Sequence, residues 1–121
     1  MKPKPCWLFF TGRDTWVTIA PTIYYPRSVS DPKHYPEVIV HESVHLQRQE
    51  AVGLTRWLLK YIFSRRFRFD EEILAIRAQL HVLPVAYRLE AIQSFAKQLS
   101  GFQYFWAASE KDVIAALGDC L

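Results

Sequence analysis

Five consecutive residues, His41-Glu42-Ser43-Val44-His45, have the types and the spacing to do chemistry. Imidazoles four positions apart lie one turn apart on the same face of a helix, so both can reach one tetrahedral ion. Glu42 follows the first histidine by one residue, about 100° round the helix. From there its carboxylate can reach the ion's fourth position and accept a proton from water held there. The pattern predicts one bound Zn2+ with His41 and His45 as ligands and Glu42 as general base. The local context is helical: Pro36 and Glu37 suit a first turn, and Val38, Ile39, Val40 and Val44 supply apolar surface.

A zinc site that keeps an open position needs a third protein ligand. Six residues after His45 stands Ala51, not histidine, so the candidates are Glu71, Glu72, His81 and Glu90 on later segments. An acidic ligand on a second helix crossing the first would make a compact His2Glu site. Glu72 and His81 are nine residues apart, on opposite faces of one helix, and cannot both serve. Ile76 and Leu80 follow Glu72 by four and eight residues, which continues its face into a core, whereas the face of Glu71 is more mixed. His34 and His81 read as surface or helix-end histidines. Gln49 and Gln79 are candidates to hold a ligand histidine. Tyr24, Tyr25, Tyr61, Tyr87 and His81 are open candidates to donate to an oxyanion.

Several of these residues together resemble the gluzincin clan of metallopeptidases, especially the minigluzincins and small phage and bacterial HExxH metallopeptidases. After His45 come Gln49 and Gly53, then Trp57 with Lys60-Tyr61, then Glu72-Ile-Leu-Ala75-Ile-Arg77. The resemblance spans roughly residues 36–80. It implies a zincin-like α+β fold, zinc-dependent hydrolysis of peptide bonds, and Glu72 as third ligand, because the ligand glutamate in that pattern precedes a small residue by three positions, here Ala75. One position departs. Many gluzincins carry Asp four residues after the glutamate ligand, where this chain has Ile76, so support for a ligand must come from elsewhere.

The elements that position these residues form one domain over residues 1–121. Half of the chain is hydrophobic and 22% is charged, with abundant aromatic residues, so it can bury a core. Residues 6–25 read as short strands, Cys6–Thr11, Thr15–Ala20 and Ile23–Tyr25, making a small antiparallel sheet. Pro26, Pro32 and Pro36 mark a loop. Helices are expected from Pro36 to about Val52 and from Leu54 to Phe63. Others should run from Asp70 to about Val82, from Val85 to Leu99, and from a Ser109 cap to about Leu117. A small sheet followed by four or five helices is the expected layout, with the His-Glu motif on the first long helix.

The net charge of +3 concentrates in Lys60 and in Arg65, Arg66 and Arg68. That run reads as a solvated turn between helices, and its alternative reading is contact with nucleic acid. Cys6 and Cys120 have no ligand spacing and are expected to be reduced. The apolar stretches are too short for a bilayer span or a signal core, which points to the cytoplasm. A peptide or protein substrate is the expected partner. The rival to a peptidase is a regulatory or host-interaction protein on the same fold, with little or no activity.

Overall fold

The computed structural model describes residues 4–5, 15–101, 104 and 106–121. The expected strand over Cys6–Thr11 and the turn after it lie outside the described residues, as does Cys6. The sheet has strands β1 (Lys4–Pro5), β2 (Val17–Ile19) and β3 (Thr22–Tyr25), ordered β1-β3-β2. β2 and β3 form an antiparallel hairpin with Thr18 opposite Ile23, turning at Ala20-Pro21. β1 pairs with β3 in parallel, so the sheet is not purely antiparallel as the sequence suggests.

Five helices follow: α1 (Pro36–Val52), α2 (Leu54–Phe63), α3 (Arg65–Val82), α4 (Val85–Leu99) and α5 (Glu110–Leu117). α1 starts with proline in its first turn, and the chain breaks at Gly53, whose φ of +99° is open to glycine and strained for other residues. Gly53 donates to the Gln49 carbonyl and accepts from the Trp57 amide, so α1 and α2 are separate helices sharing one joint. Ser109 caps α5 by accepting from the Asp112 amide.

α3 departs most from expectation. It begins at Arg65, five residues before Asp70, because Ser64 caps it by accepting from the Phe67 amide. The arginine run is therefore the first turn of a helix and not a solvated turn. Arg68 is buried, at 5% exposure, and donates to the carbonyls of Tyr61, Ile62 and Tyr104. A guanidinium placed there satisfies the last carbonyls of α2 and matches the negative end of its dipole. Arg65 donates to the Trp106 carbonyl and Arg66 pairs with Asp70 one turn on. The earlier start also places Glu71 and Glu72 in the helix interior, where the favourable end of a dipole no longer explains their charge.

α3 is buried on two sides. Ile73, Ile76 and Leu80 pack with Ile92, Ala96 and Leu99 of α4 and with Val113 and Leu117 of α5 in the hydrophobic core. Glu71, Glu72 and Gln79 are buried polar residues of the same helix, and α3 lies along α1. Ala75, three residues after Glu72, is fully buried. A buried polar row in a helix of this kind requires partners, since each unpaired group costs about 1–3 kcal/mol.

Candidate metal centre

α1 turns His41, Glu42, His45 and Gln49 into the protein, all buried. Donor atoms of His41, Glu42 and His45 lie within 4.8 Å of one another. Across from them, the carboxylate of Glu72 on α3 reaches both imidazoles. Its Oε1 is 3.2 Å from His41 Nε2, and its Oε2 is 3.1 Å from His45 Nε2. The structure thus brings together the four site residues expected from sequence. It also separates the two neighbouring glutamates: Glu71 meets no histidine, and instead accepts from Trp57 Nε1 at 2.6 Å and from Arg48 Nε at 3.0 Å. His81 and Glu90 are exposed, and His34 is exposed beside Asp31.

The groups behind the donors fix their orientation. Gln79 Oε1 accepts from His41 Nδ1 at 2.9 Å, which leaves Nε2 as the nitrogen that faces Glu72. Gln79 lies seven residues past Glu72, on nearly the same face of α3, so one helix supplies both the carboxylate and the hold on the histidine. Gln49, the other glutamine considered, serves the fold. Its Oε1 accepts from the Ala20 amide and its Nε2 donates to the Thr18 carbonyl, tying α1 to the hairpin. That tie brings Thr18 to Glu42, where its hydroxyl donates to Oε2 at 3.0 Å. Thr18 has no signal in the sequence, being 24 positions from its partner. His45 Nδ1 is buried with no hydrogen-bond partner among the described residues.

Charge in this pocket is strongly coupled. Burial opposes a charged His45, yet the Glu72 carboxylate against it, with Glu42 and Glu71 farther off, outweighs burial and pushes the imidazole up to about 9. Burial likewise opposes ionisation of Glu72, but His45 and His41 hold its carboxyl well below the usual carboxylate range. Tyr61 donates to Glu72 Oε2 at 2.7 Å, and burial together with that negative charge raises its phenol well above its ordinary value. Tyr61 is therefore spent on holding Glu72. Tyr87 and His81 are exposed, and Tyr24 and Tyr25 sit half-buried on β3.

A cleft of about 460 Å³ opens onto this centre, with His41, Glu42 and Gln79 on its lining. Tyr104 also lines it, a residue that no motif singled out. Burial, then the charges of Glu72 and Glu42, raise the Tyr104 phenol above its ordinary value, so it stays protonated beside the site.

No family model, curated protein or solved structure matches the chain. No helix among the described residues is long and apolar enough to cross a membrane.

Proposed function

We propose that this chain is a zinc-dependent metallopeptidase of zincin-like, gluzincin-like build, holding one Zn2+ with His41, His45 and Glu72 and using Glu42 as general base. The observation that carries the reading is the convergence of two imidazole nitrogens and one carboxylate at 3.1–3.2 Å. Ligands at zinc distances in a tetrahedral arrangement are about 3.4 Å from one another. Two neutral imidazoles and one carboxylate are a donor set that zinc accepts while retaining a position for a reactant. When bound, zinc supplies a Lewis acid that polarises a carbonyl and makes a nearby water acidic enough to react near neutral pH.

The remaining steps belong to the protein's own side chains. Glu42 takes a proton from the attacking water and returns it to the departing amide nitrogen. Thr18 holds the Glu42 carboxylate by its Oε2, which fixes the direction in which the free oxygen can act. Gln79 keeps His41 in the tautomer that offers Nε2, and Tyr61 anchors Glu72 by its Oε2. Arg68 is buried against backbone carbonyls and is withheld from nucleic acid, whereas Arg65 and Arg66 remain exposed beside the Trp106 carbonyl and Asp70.

The test pairs metal analysis of protein purified without added zinc with digestion of a peptide library. Near-stoichiometric zinc and cleavage are expected, with Glu42→Gln keeping the metal and losing about 100-fold or more of the rate. Peptide hydrolysis by Glu42→Gln at the wild-type rate would refute the assigned role, and absence of cleavage by the loaded wild type would favour a binding protein on the same fold.

A further inference from the structure

The cleft is built from two unlike sides. α4 presents Ala91, Ser94, Phe95 and Gln98, at positions i, i+3, i+4 and i+7 of one helical face. Across from it are Thr15 and Trp16, just before β2, and Val38 of α1, with Tyr104 completing the lining. Trp16 packs against the rings of Tyr25 and Tyr35, with centroids 6.1 and 6.2 Å away. The Phe95 ring stacks near-parallel to His41 at 6.3 Å, so an aromatic wall begins at a proposed metal ligand. Among the described residues no lysine or arginine lines the cleft, and the one carboxylate on its lining is that of Glu42.

From this lining we infer that the cleft selects an extended peptide segment with an aromatic, uncharged side chain next to the scissile amide. The inference rests on the peptidase reading for its scissile bond and on the cleft alone for its selectivity. Aromatic side chains gain from stacking and edge contacts with rings such as those of Trp16 and Phe95. An acidic side chain there would face Glu42 and find no cation among the described lining residues, which leaves its desolvation uncompensated. A basic side chain would pair with Glu42 and take the carboxylate that the reaction requires. At about 460 Å³ the cleft holds one or two residues of a substrate and not a folded surface.

The experiment uses zinc-loaded full-length protein and a peptide library varied on both sides of the cut. Aromatic residues beside the cut should exceed Asp and Glu by about 100-fold in kcat/KM. Ser94 and Gln98 are exposed, so S94R and Q98R can add a cation to the α4 wall without disturbing the core. Each should narrow that ratio to about tenfold by raising the acidic peptides, at unchanged zinc content. In parallel, ring-proton shifts of Trp16 and Phe95 are followed in metal-free wild-type protein, which retains Glu42, as aromatic-centred and acidic-centred peptides are added, with only the former expected to move them. Cleavage without aromatic preference would overturn the inference and leave the peptidase reading standing. Selective aromatic binding without any cleavage would sustain the cleft assignment and remove the peptidase reading. Neither cleavage nor binding would remove both.

Discussion

Gln79→Ala separates support of the proposed metal centre from support of the fold. Gln79 is 8% exposed, and its Oε1 is the partner of His41 Nδ1 at 2.9 Å. Removing it frees the imidazole to rotate and to exchange tautomers, so Nε2 no longer faces the Glu72 carboxylate by default. Loss of such a partner typically costs about 10–100-fold in metal affinity, or roughly 1.4–2.7 kcal/mol. Gln49→Ala is the matched control, since Gln49 is fully buried but bonds two backbone groups of the hairpin. It strands the Ala20 amide and the Thr18 carbonyl at about 1–3 kcal/mol each, a large share of the roughly 5–15 kcal/mol that holds a domain folded. Zinc affinity is read by competition with a chromophoric chelator, and stability by urea unfolding of metal-free protein. Gln79→Ala should lose affinity with a smaller loss of stability, and Gln49→Ala should do the reverse. If Gln79→Ala binds zinc within twofold of wild type, the reasoning about His41 is wrong.

Three further outcomes follow from named contacts. Glu72→Ala should abolish tight zinc binding, whereas Glu71→Gln should retain it and lower the unfolding midpoint, because Glu71 serves Arg48 and Trp57; isothermal titration with zinc on both variants decides this. Arg68→Gln should destabilise by about 2–4 kcal/mol through the carbonyls it leaves unpaired, while Arg65→Gln and Arg66→Gln should each stay within about 0.5 kcal/mol in urea titrations. For metal-free protein the His45–Glu72 pair sets a pH window. His45 is raised from 6.5 to about 9, so its contribution is complete below pH 6.5 and disappears as pH rises through 9. Glu72 is lowered from 4.5, so its contribution is complete above that pH and declines as the solution is acidified through its folded value. Unfolding midpoints should therefore plateau between pH 4.5 and 6.5 and fall towards pH 9, and a flat profile through that alkaline limb would contradict the pairing.

The local features were legible in the residues themselves. The His41-Glu42-x-x-His45 spacing needs only one helix to place its groups on a shared face, and Pro36 and Gly53 mark where that helix begins and ends. The α4 and α5 boundaries were equally plain, because an apolar repeat with Ser109 as cap is local information. Sequence also left Glu71, Glu72, His81 and Glu90 as candidates for a third donor, with a preference for Glu72.

What tertiary structure decided was every relation between elements. Glu71 and Glu72 are chemically identical neighbours, about 100° apart on α3. Only the way α3 lies along α1 turns one to the histidines and the other to Arg48 and Trp57. The two glutamines were equally plausible supports until packing assigned Gln79 to His41 and Gln49 to the hairpin. The arginine run was misread as a turn because charge favours solvent in the average protein, while Arg68 is buried by carbonyls from α2 and from Tyr104 that no local pattern reveals. Thr18 and Tyr104 carried no signal at all. A hydroxyl acquires a role at the centre only when a chain segment far away in sequence is brought to it, and that is determined by which faces the helices and the hairpin bury against each other.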